Sequence, residues 1–154
     1  MTLLANGRLP VIDASIAIKW YVPEVYSVEA RLLVEDKQFT RYSKMHVPDL
    51  FFPECGNILW KRQRRGEISA EKAAAIIEAL LALPFVVHAH SPLIQAAMTI
   101  AVNTDSSVYD SLYVALAIRE QTQLVTADEK LYRAIQRSPL SSYLLWAEDI
   151  RDIL

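Results

Sequence analysis

Glycine is scarce in this chain of 154 residues, which holds only Gly7, Gly56 and Gly66. Neither the GxGxxG turn of dinucleotide-binding folds nor the GxxxxGK[ST] loop of nucleotide hydrolases can be written with them, which argues against both chemistries. Cysteine is scarcer still. The lone Cys55 rules out an internal disulfide framework and a cysteine-rich zinc site, and it suits a reducing compartment. A basic excess is missing too. The net charge of −2 sets up no global field for a nucleic acid, although a local patch can still serve one. The greasiest stretch, AAAIIEALLALPFVV, is broken by Glu78 and Pro84 and is too short to span a bilayer. The opening MTLLANGRLP lacks the charged start and long apolar centre of a secretory signal. The chain therefore reads as cytoplasmic. With 53% hydrophobic and 22% charged residues it reads as one folded globular domain over 1–154, with no linker or repeat to divide it.

Strand-like and helix-like segments alternate along it. LPVID, KMHVP, FVVH, QLVTA and SYLLW read as short buried strands. Helical spacing predicts helices over SVEARLLVEDKQ, with Ser27 as N-cap and apolar spacing at Val28, Leu32 and Leu33, and from about Asp49 to Arg65, stopped by Gly66. Further helices are predicted from Ser69 to about Leu83, from Ser91-Pro92 to Asn103, over SSVYDSLYVALAIRE and over DEKLYRAIQR. This alternation implies an α/β sandwich on a mainly parallel sheet.

Placed on that outline, four acids gather. Asp13 ends the first strand, inside the apolar run VIDASIAI. Asp128 follows QLVTA at a strand-to-helix turn. Glu54 and Asp110 each fall in the first turn of a helix. In open parallel sheets the carboxyl ends of strands and the N-termini of the following helices share one edge, where ligands bind. Acids in first turns also complement the helix dipole, and for Glu54 or Asp128 alone that reading suffices. Asp13 and Asp110 are hemmed by apolar neighbours and resist it. Four converging carboxylates repel one another and raise each other's pKa values. A hard divalent cation, Mg²⁺ or Mn²⁺, resolves the conflict, and a second ion about 3.5–4 Å away would complete a two-metal site for phosphoryl transfer. Water would then attack a phosphodiester in line, with no side-chain nucleophile.

VIDASIAIKWYVPE, PDLFFPECGNILWK, SVYDSLYVALA and LVTADEKL resemble, in this order and spacing, the signature blocks of the PIN-domain ribonucleases, and most closely the VapC-like toxins of toxin–antitoxin pairs. The likeness runs from about Leu9 to Asp149. It implies an α/β/α sandwich, an endoribonuclease dependent on Mg²⁺ or Mn²⁺, a homodimer and a cognate antitoxin. Carried over by position, the acidic quartet falls on Asp13, Glu54, Asp110 and Asp128. A hydroxyl partner two before the last acid falls on Thr126, and a small polar residue after the first acid falls on Ser15. NTDSS stands where a glycine-containing turn is common, and Asp105 within it reads as turn chemistry.

Other features have two readings. The KRQRR stretch, Lys61 to Arg65, compensates a helix C-terminus on the plainer one; on the other, Arg62 and Arg64 contact RNA phosphates. His88 and His90 form an HxH pair without a third zinc ligand, so ordinary strand-end contacts are the simpler account. Trp20, Tyr21, Trp60, Tyr109, Tyr113 and Trp146 can stack bases, but core or interface packing explains most of them. The apolar helices at Val28–Leu33 and Ala73–Leu83 offer surface for a second copy or an antitoxin helix. Two competing functions remain at this stage: a non-catalytic RNA- or protein-binding module, and a metal phosphatase using the same edge.

Overall fold

In the computed structural model, which describes residues 7–35 and 44–153, five short apolar segments become strands: β1 Val11–Ile12, β2 His46–Pro48, β3 Val86–His88, β4 Leu124–Thr126 and β5 Leu144–Trp146. All neighbours pair in parallel, in the order β3-β2-β1-β4-β5. Val11 stands opposite both His46 and Leu124, and Ile12 opposite Val125. Strands buried on both faces need no polar alternation, which is why β1 and β4 read as plain apolar runs. Successive residues instead separate into two cores. Ile12, Val125 and Leu145 pack into one, and Val11, Leu124 and Leu144 into the other. A helical layer therefore covers each face, and the chain is a three-layer α/β/α sandwich.

The first layer comprises α1 Ala14–Ala17, α2 Ser27–Glu35, α3 Phe51–Arg64 and α4 Ala70–Ala82; the second, α5 Ile94–Thr104, α6 Val108–Arg119 and α7 Glu129–Gln136. Helix α3 ends as its glycine foretells. Gly66 adopts φ +73, its N–H bonds the Gln63 carbonyl at 3.0 Å, and the Glu67 N–H bonds the Arg62 carbonyl at 3.0 Å. Asp105 takes φ 54 beyond α5, the left-handed turn that an aspartate tolerates.

The fold departs from the sequence pattern in three places. Ser27 is the first residue of α2, and its hydroxyl turns back to accept the Glu24 N–H at 2.9 Å. Val28 is 62% exposed while Glu29 is buried, because Arg151 from the far end of the chain pairs with Glu29. The extension of this helix over Asp36–Gln38 lies outside the described residues. Ser91-Pro92 opens a 3₁₀ turn, Ser91–Leu93, and the α-helix starts only at Ile94, with no side-chain cap at His90. Among the described residues no helix is long and apolar enough to cross a membrane.

Candidate active site

The strand order reverses its winding between β1 and β4, so the crevice beyond their carboxyl ends is a topological switch point. Asp13 and Asp128 directly follow these strands or their last residue's neighbour, and the N-termini of α3 and α6 bring Glu54 and Asp110 to the same edge.

Asp13 leaves β1 in an extended conformation and caps α1, its Oδ1 accepting the Ile16 N–H at 3.3 Å. Ser15 also donates to Oδ1, and Thr126 donates across the sheet to Oδ2. Both hydroxyls are themselves fixed. Ser15 Oγ accepts the Ala127 N–H at 2.9 Å, and Thr126 Oγ1 accepts the Asp128 N–H at 3.0 Å. Burial pushes the Asp13 carboxyl from 3.8 up to about 6; Asp128 pushes the same way, and the two hydroxyls oppose it. Asp128 in turn caps α7, accepting the Leu131 N–H at 3.1 Å.

Glu54 projects from the first turn of α3, and the buried Tyr113 hydroxyl donates to its Oε2 at 3.2 Å. Burial raises its carboxyl from 4.5 to about 7, against the Tyr113 bond and with repulsion from Asp13, Asp110 and Asp128. Asp110 is raised as well, by burial and by Asp128, while Ser107 and Lys130 hold it back. Ser107 caps α6 by accepting the Asp110 N–H at 3.0 Å. All four acids thus share one field.

Among the described residues none of the four makes an ion pair. Hydroxyls and backbone N–H groups hold Asp13, Glu54 and Asp128, and the only cation that acts on the set is Lys130, from a distance, on Asp110, which leaves most of their charge uncompensated among the described residues. An all-oxygen donor set of this kind fits a hard divalent cation. Among the described residues no group of three or more His, Cys, Asp or Glu side chains closes into a ready-made cage. A small hard ion that keeps several waters needs only one or two carboxylates directly, so the donor chemistry fits.

Three partners were not evident from the sequence. Tyr113 reads there as core, yet it lies three residues from Asp110 on α6, the spacing that puts two side chains on one helix face. Ser107 was signalled only by its place three before Asp110. Lys130 was hidden in DEKL. Of the other candidates, Arg62 is tied to Glu24 and, at 3.3 Å, to Glu67, whereas Arg64 lies over the half-exposed Trp60 ring at 4.8 Å. His88 bonds His46 Nδ1 at 2.9 Å and Arg119 at 2.8 Å, and His90 bonds Asp49 Oδ1 at 2.8 Å, so the HxH pair is divided between two ordinary networks. Cys55 is fully buried, and burial drives its thiol far above the usual range, so it behaves as a small hydrophobe.

A parallel α/β sandwich with acids at the carboxyl edge of its sheet defines a structural class. The sequence places this chain within that class. Residues 11–135 match the family model of the PIN domain. Over 123 residues the chain is 34% identical to "Ribonuclease VapC3" of Pyrobaculum aerophilum, covering 79% of this chain and 90% of that protein. The crystal structure of PAE2754, also from Pyrobaculum aerophilum, shares the fold with a TM-score of 0.67 at 22% identity, over 96% of this chain and 90% of that one. The chain belongs to the PIN-domain family.

Proposed function

We propose that this protein is a divalent-metal-dependent endoribonuclease, the toxin of a toxin–antitoxin pair. The observation that carries the reading is the set of four acids at the switch point, three of them, Asp13, Glu54 and Asp110, raised by burial and by their acidic neighbours, and none of the four in an ion pair among the described residues. The named ribonuclease relative supplies the substrate class. Asp13 and Asp110 would hold Mg²⁺ or Mn²⁺ directly, with Glu54 and Asp128 completing the site directly or through water. Bound there, such an ion would activate an attacking water and neutralise charge on the leaving oxygen. Ser15 and Thr126 fix both oxygens of Asp13, and Tyr113 fixes one oxygen of Glu54, so two of the acids are oriented in advance. Cation uptake would release the protons that burial keeps on Asp13 and Glu54.

Arg64, stacked on Trp60, remains a candidate contact to RNA phosphates. Arg62 reads better as a brace for Glu24 and Glu67. A homodimer and an antitoxin helix are further parts of the reading, supported by exposed Val28 and Leu81 on α2 and α4, and so is a cytoplasmic location. The deciding experiment is cleavage of single-stranded and structured RNA by purified protein with Mg²⁺ or Mn²⁺, against chelator and Asp110→Asn. Cleavage should need the metal and vanish in the variant. A folded chain that binds RNA but never cuts it would favour a binding module, and turnover of a small phosphomonoester instead of RNA would favour a phosphatase.

A further inference from the structure

Beside the acidic crevice a groove of about 780 Å³ runs between the end of α5 and the length of α7. Its floor and rim include Asn103, Thr104, Lys130, Arg133, Arg137 and Ser138. Positions 130, 133 and 137 recur at the spacing of one helix face, so three cations line the groove in a row. Arg133 is engaged by Glu129 one turn back. Lys130 and Arg137 make no ion pair among the described residues, and both are exposed. They stand two helical turns apart, about 10.5 Å along the axis.

Lys130 has no local explanation. A cation in the first turn of a helix opposes the macrodipole, and α7 begins at Glu129, directly after its cap Asp128. What Lys130 does lie beside is the candidate site, two residues beyond Asp128 in the first turn of the helix that Asp128 caps. The groove thus starts one residue beyond Asp128, at Glu129 and Lys130. Its lining is mixed: Asn103, Thr104 and Ser138 offer hydrogen-bonding groups, Val102, Ala134 and Pro139 are apolar, and Asp105 and Glu129 are its two acids, the latter spent on Arg133.

We propose that this groove holds the RNA backbone next to the scissile phosphodiester, with Lys130 and Arg137 each meeting a phosphate. The proposal rests on the ribonuclease reading above. An acidic peptide is the competing occupant. A row of cations spaced for repeated charges, hydrogen-bonding groups between them and adjacency to the Asp128 end of the crevice favour the nucleic acid.

The test uses the cleavage-silent Asp110→Asn protein and a fluorescein-labelled single-stranded RNA, with affinity measured across a salt series. Adding Lys130→Ala and Arg137→Ala should weaken binding by about tenfold or more and flatten the slope of log affinity against log salt by about 1.4, at roughly 0.7 per phosphate contact. In the cleavage-competent protein, the same pair of substitutions should raise KM more than it lowers kcat. Arg137→Ala alone, remote from Asp110, should give about half the slope change, which separates groove binding from disturbance of the acids. An unchanged affinity and slope in a protein whose parent binds RNA would overturn the proposal and leave the ribonuclease reading standing. So would normal RNA binding together with lost affinity for a poly-glutamate peptide, which would hand the groove to a protein partner. If the Asp110→Asn parent binds no RNA and the unaltered chain cuts none, the ribonuclease reading fails first and the groove assignment falls with it.

Discussion

Asp13→Asn should make the metal-free protein more stable, although it removes a residue of the candidate site. Asp13 is almost wholly buried, and its carboxyl rises from an ordinary 3.8 to about 6 in the fold. At about 1.36 kcal/mol per pH unit, ionising it in place costs about 3 kcal/mol once the pH is well above 6. The sign follows from proton uptake. Between the two values the folded chain keeps a proton that the unfolded chain has lost, so stability falls as pH rises, and about half of the loss develops between pH 5 and 8. An amide avoids the loss. Its oxygen can accept from Ser15 and the Ile16 N–H, and its NH₂ can donate to the Thr126 hydroxyl, whose free lone pair remains after it accepts the Asp128 N–H. In a chain of this size about 3 kcal/mol corresponds to roughly 6–12 °C in Tm, less whatever the rearranged hydrogen bonds lose. The assay is thermal unfolding in chelator at pH 5, 6, 7 and 8. The unaltered protein should melt lower as pH rises, and Asp13→Asn should melt higher at pH 8 with a flatter profile. A chelated protein whose Tm climbs steadily from pH 5 to 8, with Asp13→Asn less stable throughout, would refute the claim that Asp13 carries an uncompensated charge.

Mg²⁺ or Mn²⁺ should raise the Tm of the unaltered protein more at pH 8 than at pH 5, because protons compete for the same carboxylates, and a pH-independent increment would count against them as ligands. Arg62→Ala should cost about 1–2 kcal/mol in urea unfolding, since it strands part of Glu24's charge, whereas Arg64→Ala should stay within about 0.5 kcal/mol. His46 and His88 are both depressed from 6.5, chiefly by burial, so their neutral forms support the fold above that value and their contribution is lost as pH falls below it; ring resonances followed by NMR should titrate below 6.5. Gly66→Ala should destabilise by about 1 kcal/mol through its φ of +73 alone, because nothing lies within 4 Å of the added methyl, and an unchanged urea midpoint would contradict the left-handed cap.

Asp13 was legible in the sequence because a carboxylate inside VIDASIAI breaks an apolar run, and such breaks need a reason. The parallel sandwich was legible because buried strands and amphipathic helices alternate with little else between them. Glu29 and Val28 were not, since the partner that draws Glu29 inward, Arg151, lies 122 positions away and leaves no mark on local spacing. Tyr113 escaped for a related reason: a buried aromatic on a helix buried nearly all round looks the same whether or not its hydroxyl holds a carboxylate. Ser91-Pro92 carries a helix-start signal that the chain uses for a tighter turn, a choice made by the packing of Leu93 into the core.

The bond from Thr126 to Asp13 joins residues 113 positions apart, and the Ser15–Ala127 bond beside it joins residues 112 apart. Closing loops of that length is entropically slow, so β1 and β4 meet only when nearly the whole chain has found its place. A half-made or partly melted molecule therefore has the acids but not the seam that aims them. The cleavage proposed above would then arrive with the last act of folding, and heat or a truncated synthesis should remove it before the separate helical layers are lost.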